Sequence, residues 1–272
     1  MFGKLLKHEF KATARLFPLM YLGLALLLLT SCVSKYLDIE AVFGFSQTFS
    51  ILGTVAMVLV TVVWIFMRFY KSMFSDEGYL THTLPVKPGA VVMSKAFVSI
   101  VWYVLSFIVA IAAALFVAAL FGAFDREFFA MITALYPNFK WSVFAAWVTA
   151  IAVIALIQSV YFIAQVYFCL ALGNSGSFKH PVGMGILFYV VYYFINQTVT
   201  AFLMMFVPLG IRFDSDGIHL TTKRMMDQIL NGMTTLNIGF ELGIAAMIFS
   251  VIAAAALFYF TARIIDKRLL VQ

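Results

Sequence analysis

Six stretches of the chain are apolar for long enough to cross a bilayer, near residues 17–34, 48–69, 96–121, 143–171, 182–209 and 239–262; a spanning helix needs about 20 such residues. The hydrophobicity is continuous, as in AFVSIVWYVLSFIVAIAAALFVAALF from Ala96 to Phe121, and lacks the period-two alternation of membrane β-strands. The pattern predicts an all-α integral membrane protein with six transmembrane helices. A different period precedes the first span. Over residues 2–16, Leu5, Leu6, Phe10 and Ala14 fall near one helical face, with Lys4, Lys7, Lys11 and Arg15 toward the other. This predicts an N-terminal amphipathic interfacial helix whose cations meet anionic headgroups; the plainer alternative is a charged extension of the first span. Pro18 marks the bend into the membrane.

The connections carry their own patterns. A short loop with Lys35, Asp38 and Glu40 joins the first two spans. Between spans three and four, Phe124, Phe128, Ile132 and Leu135 recur at helical spacing and predict an interfacial or re-entrant helix. Gly173 to Pro181 is too short to hold a domain. In the long connection 211–237, Met225, Ile229 and Met233 are spaced four apart and predict a short amphipathic helix. No repeat relates the spans and no low-complexity linker divides them, so residues 1–272 read as a single transmembrane domain.

Composition agrees with the pattern. Hydrophobic residues make up 64% of the 272 positions and charged residues 11%, against roughly 25% charged in soluble domains. The net charge of +6 comes without a basic cluster interleaved with aromatics, which argues against nucleic acid. Topology accounts for it better. With a cytoplasmic N-terminus, the inner segments hold Lys4, Lys7, Lys11, Arg15, Arg68, Lys71, Lys87, Lys95, Lys179, Arg263, Lys267 and Arg268. The outer segments hold only Lys35, Arg126, Lys140, Arg212, Lys223 and Arg224, so the positive-inside rule places both termini in the cytoplasm. Cys32 and Cys169 lie in predicted spans, where free thiols are expected. Leu29-Thr30-Ser31-Cys32 has the form of a lipoprotein cleavage box, but the long basic segment before it and five spans after it favour retention of the first span.

Motifs for chemistry are missing where an autonomous machine would need them. The one Gly-Lys dipeptide, Gly3-Lys4, does not belong to a phosphate-cradling loop. No span has a central Asp, Glu, Lys, Arg or His of the kind that couples transport to an ion gradient. His8-Glu9-Phe10-Lys11-Ala12 lacks the second histidine of a zinc-protease helix, and Asp214-Ser215-Asp216-Gly217 lacks the later ligands of a calcium loop. No catalytic residue and no metal site are expected. Uncharged polarity is what the spans offer: Gln158, Tyr161, Gln165 and Cys169 share one face of span four, and Tyr189, Tyr193, Gln197 and Thr200, with Asn196 beside them, share one face of span five. These faces fit a substrate-pathway lining or, equally simply, hydrogen bonding between helices. Small residues spaced by four, Ala114, Ala118 and Gly122 in span three and Ala246, Ser250 and Ala254 in span six, suit close helix packing.

One polar segment remains, SDEGYLTHTLPVKPGAVVMSK, residues 75–95 between spans two and three. Ser75 suits a helix cap, Asp76 and Glu77 suit the positive end of a helix, and Pro85 and Pro88-Gly89 would stop it. Tyr79, Leu80, Thr83 and Leu84 would then offer an apolar surface at the membrane boundary, ready for a groove on a partner or for lipid headgroups. Asp76-Glu77-Gly78-Tyr79-Leu80, Thr83-Leu84-Pro85-Val86 and Ser94-Lys95 resemble the cytoplasmic segment of six-span ABC-2-type transporter permease subunits of Gram-positive bacteria. The basic N-terminal helix, the six spans and the long 211–237 loop extend the likeness along the chain.

That resemblance implies a non-enzymatic subunit in a bacterial plasma membrane, working with a second permease copy or paralogue and two separate ABC ATPase subunits. The ATPases, not this chain, would bind ATP and Mg. Residues Asp76, Glu77, Gly78, Tyr79, Leu80, Thr83, Leu84 and Pro85 would form the coupling segment that docks on them. Export of peptides, antibiotics, lipids or polysaccharides is the implied class of function. Two readings compete with it: a self-contained secondary transporter or channel, and a membrane sensor or assembly factor that moves no substrate.

Overall fold

The computed structural model describes residues 2–75, 88–127, 130, 141–176, 178–214, 217–222, 224–226 and 240–269. Among them are seven helices: α1 (Phe2–Thr13), α2 (Leu16–Tyr36), α3 (Glu40–Phe74), α4 (Pro88–Leu120), α5 (Trp141–Ser175), α6 (Pro181–Phe206) and α7 (Ile244–Leu269). Helices α2 to α7 are each long and apolar enough to cross a membrane, the architecture of a multi-pass membrane protein. Several outrun their apolar cores. The 35 residues of α3 span about 52 Å at 1.5 Å per residue, against a hydrocarbon core of roughly 30 Å, so its polar ends stand beyond the apolar slab at ordinary tilt. Helix α4 opens on Pro88, whose missing N–H costs nothing in a first turn.

The chain divides into two compact units, Met1–Ile132 and Thr133–Gln272. In the first, α2 turns into α3 through Asp38, whose φ of 52° is left-handed, a conformation that Asp tolerates better than most residues. The amides of Leu37, Asp38 and Ile39 bond back to carbonyls of Val33, Lys35 and Ser34, closing the end of α2. Leu24, Met57 and Ala113 form an apolar layer from α2, α3 and α4. Of the small-residue stripe expected on span three, Ala114 is exposed and Ala118 and Gly122 are half-buried, while the fully buried positions are the adjacent Ala113 and Val117. The helix is rotated about one position from that expectation, because Leu24 and Met57 select the face that carries Ala113.

In the second unit α5 packs on both α6 and α7. Tyr161 and Ala164 of α5 meet Ala254 and Leu257 of α7 in one buried cluster. The stripe Ala246, Ser250 and Ala254 is buried, as its spacing suggests. Helices α5 and α6 approach at Gly173 and Gly185: a Cβ on Gly173 would lie 2.5 Å from the Gly185 nitrogen, so nothing larger than glycine fits.

The connection after α6 departs from expectation. Its described residues form three antiparallel strands, β1 (Gly210–Asp214), β2 (Gly217–Thr221) and β3 (Phe240–Gly243), in the order β2-β1-β3. Arg212 pairs with His219 on one side and Glu241 on the other. Gly217, at a φ of +145°, opens β2 in a conformation that L residues rarely adopt. Because Phe240–Gly243 is drawn into the sheet, α7 starts at Ile244 rather than near 239. The amphipathic helix expected around Met225, Ile229 and Met233 is visible only as helical backbone at Met225 and Met226; Ile229 and Met233 lie outside the described residues.

Candidate functional site

The segment expected to dock a partner is bracketed by described structure. Asp76, Glu77, Gly78, Tyr79, Leu80, Thr83, Leu84 and Pro85 themselves lie outside the described residues. On one side α3 ends at Phe74, and the Ser75 hydroxyl bonds back to the Lys71 carbonyl at 2.5 Å, so Ser75 closes the preceding helix. On the other side α4 begins at Pro88.

These two ends are joined through α1. The Glu9 carboxylate takes one bond from Lys95 of α4 (Nζ to Oε1, 2.5 Å) and another from Arg68 of α3 (3.2 Å to Oε2). Lys95, with 6% of its side chain exposed, is as deeply buried as a core residue. Burial by itself would raise the pKa of Glu9; the charges and hydrogen bonds of Lys95, and then of Arg68, outweigh it and hold the carboxyl below its ordinary value of 4.5. One turn further on, Trp102 Nε1 of α4 donates to the Thr13 hydroxyl at 2.7 Å, and that hydroxyl donates back to carbonyls of its own helix. Phe17 then stacks on Trp102, with centroids 4.5 Å apart and planes 9° apart, and meets Trp64 edge-on at 5.0 Å. Glu9, Thr13 and Phe17 thus continue one inward face across the break between α1 and α2.

That face differs in part from the one expected. Leu5, Leu6 and Phe10 are half-buried and Lys4, Lys7, Lys11 and Arg15 are exposed, but Ala14 is exposed and Glu9 and Thr13 are buried. Glu9 is the residue sequence reasoning missed. Its signal was there: a lone acid among four cations, three positions before Ala12 and one turn from the apolar stripe, has no reason to sit on a basic surface unless it faces other cations.

In the second unit the polar faces of α5 and α6 meet at Tyr161. Its hydroxyl donates to Asn196 Oδ1 at 2.5 Å, which leaves its lone pair to accept from Tyr192 at 2.9 Å. Tyr161, Gln165 and Cys169 are buried on α5, whereas Gln158 is exposed. On α6, Tyr189, Asn196 and Thr200 are half-buried, while Tyr193 and Gln197 point outward. The partners of Tyr161 are therefore Asn196, one of the polar residues named on span five, and Tyr192, which was not among them; which of two neighbours 100° apart faces α5 depends on how α6 is rotated. Gly185 sets that rotation, since it alone among the α6 residues is buried and lets the α5 backbone approach.

Chemically, these arrangements bind helices to one another and leave polar groups on the outer face of α6. Among the described residues no three His, Cys, Asp or Glu side chains gather in a way that could hold a metal, and both cysteines are free thiols. Comparison with protein-family models, curated proteins and solved structures finds no match to this chain.

Proposed function

We propose that the chain is the permease subunit of an ATP-driven exporter, similar to ABC-2-type permeases, and that it forms the substrate pathway with a second permease copy or paralogue. Its ATP and Mg would be held by separate ATPase subunits docked on residues 75–95 at the cytoplasmic face of a bacterial plasma membrane. Both termini lie on that face in this reading, and the cations of α1 rest among anionic headgroups. The observation that carries it is the Glu9 bridge. A docking segment transmits work only if the helices at its two ends move as one body, and Glu9 ties Arg68 near the end of α3 to Lys95 near the start of α4.

A second observation supports a protein-lined or water-lined surface on α6. It is the least buried of the six long helices, and it carries Tyr193 and Gln197 outward. A helix facing lipid alone would have little use for them, since an exposed amide in hydrocarbon leaves its hydrogen bonds unmade.

The test is purification of the chain from its native membrane followed by an ATPase assay on what accompanies it. A co-purifying P-loop ATPase that is lost in the double variant Tyr79→Glu/Leu84→Glu, with membrane insertion intact, is the expected result. A solitary chain that moves solute by itself in liposomes would overturn the proposal in favour of a secondary transporter or channel.

A further inference from the structure

Near the turn between α2 and α3 lies a cluster of polar side chains that the transport reading does not use. Ser31, Ser34, Ser46 and Ser50 are all buried, with hydroxyls paired across the two helices, Ser31 to Ser50 at 3.1 Å and Ser34 to Ser46 at 3.3 Å. Gln47 sits among them in sequence and is 2% exposed, yet neither its Nε2 nor its Oε1 has a partner among the described residues. A buried amide without partners is expensive enough that native structures rarely keep one. Because both amide atoms are unpaired, exchanging them by rotation changes nothing.

The chemistry of the cluster says what belongs there. Each serine has one hydroxyl proton, and it goes either to a backbone carbonyl of its own helix or to the serine opposite: Ser31 reaches Leu27, Ser34 reaches Thr30, Ser46 reaches Phe43 and Ser50 reaches Ser46, and in each cross-helix pair one of the two hydroxyls donates to the other. What the serines have left is lone pairs, and Gln47 adds one further acceptor and two N–H donors. A cation would satisfy the oxygens but face the hydrogens of Nε2; an apolar ligand would satisfy neither. A small group that both donates and accepts is water.

We propose that Gln47 marks an internal hydration site in the first unit, where one or two water molecules bridge its amide to the hydroxyls of Ser46 and Ser50. The site lies about two to three turns along α3 from the α2–α3 turn at residues 37–39, which gives water a short route from the interface. Between it and the Glu9 end lies the apolar layer of Leu24, Met57 and Ala113.

Water-edited solid-state NMR of the full chain in lipid bilayers tests this directly. Magnetisation passed from water should reach the Gln47 side-chain amide at short mixing times, severalfold ahead of Trp102 Nε1, which is buried and bonded to Thr13. Equal, slow build-up at both would overturn the proposal. A second measurement is the melting temperature of Gln47→Leu: no change or a fall of a few degrees is expected, because a hydrated amide is already satisfied. A rise of several degrees would show a dry, unpaired amide and overturn the site; if that variant fails to fold, the wild-type NMR result decides.

Discussion

Each of the two units is held together internally by a different chemistry. In the first, the helices are fixed to one another by directional polar contacts at successive levels: Glu9 with Lys95 and Arg68, Thr13 with Trp102, Tyr21 and Thr61 with Ser106, Ser31 with Ser50. In the second, the described contacts are mostly of shape, a glycine pair between α5 and α6 and an alanine-lined seam between α5 and α7, with one hydrogen-bonded trio at Tyr161. Lipid tails are as apolar as leucine, so helices in a membrane gain little from hydrophobicity and must associate by close packing or by hydrogen bonds. Each unit uses chiefly one of these routes. The polar route fixes register and leaves a charge exposed to loss; the close-packed route tolerates loss of a single hydrogen bond and does not tolerate added bulk.

Substitutions can break this comparison, and the largest effect is expected at Glu9. Glu9→Ala leaves the buried Lys95 ammonium without its carboxylate, and the first unit should lose about 3–5 kcal/mol, read as a fall in melting temperature in detergent. An unchanged melting temperature would mean that the bridge holds nothing. Next comes Gly173→Ala, whose new methyl would sit 2.5 Å from the Gly185 nitrogen; forcing α5 and α6 apart should cost about 1–3 kcal/mol and raise protease sensitivity in the second unit alone. Tyr161→Phe removes the hub of the trio while keeping the ring, and its cost should be about 0.6–1.7 kcal/mol. A loss as large as that of Gly173→Ala would show that the second unit also depends on polar contacts.

The smallest effect expected is one of pH. The folded-state pKa of Glu9 lies below its ordinary value of 4.5, so its contribution is fully present above that value and is lost as the pH falls through the folded-state pKa. Melting curves taken on the acid side of pH 4.5 should therefore show the first unit weakening, and Glu9→Gln should flatten that dependence. A pH response that survives Glu9→Gln would place its origin elsewhere.

Much of the fold was legible along the chain. A continuous apolar run leaves a helix as the one way to satisfy backbone groups in lipid without a partner strand, so all six spans were found to within several residues of their cores. The strands were harder. Phe240-Glu241-Leu242 does alternate, but it adjoins a long apolar run, and only pairing with Gly210–Asp214 shows that these residues leave the helix. The close approach at Gly173 and Gly185 was likewise unreadable, because a glycine at a loop edge looks the same whether it ends a helix or admits another backbone.

What the sequence by itself determined is the membrane class and the number of spans, since both follow from how apolar and charged residues are spaced along one chain. Only the tertiary structure decided which residues face one another. It turned Glu9 inward to Lys95 and Arg68, gave Tyr161 both Tyr192 and Asn196 as partners, placed Ala113 rather than Ala114 in the α4 seam, and buried Gln47. Neighbouring positions on a helix differ by 100° in direction, and a pattern of polar and apolar residues fixes that angle only coarsely. The rotation of each helix is set by what it packs against, and that information lies in other parts of the chain.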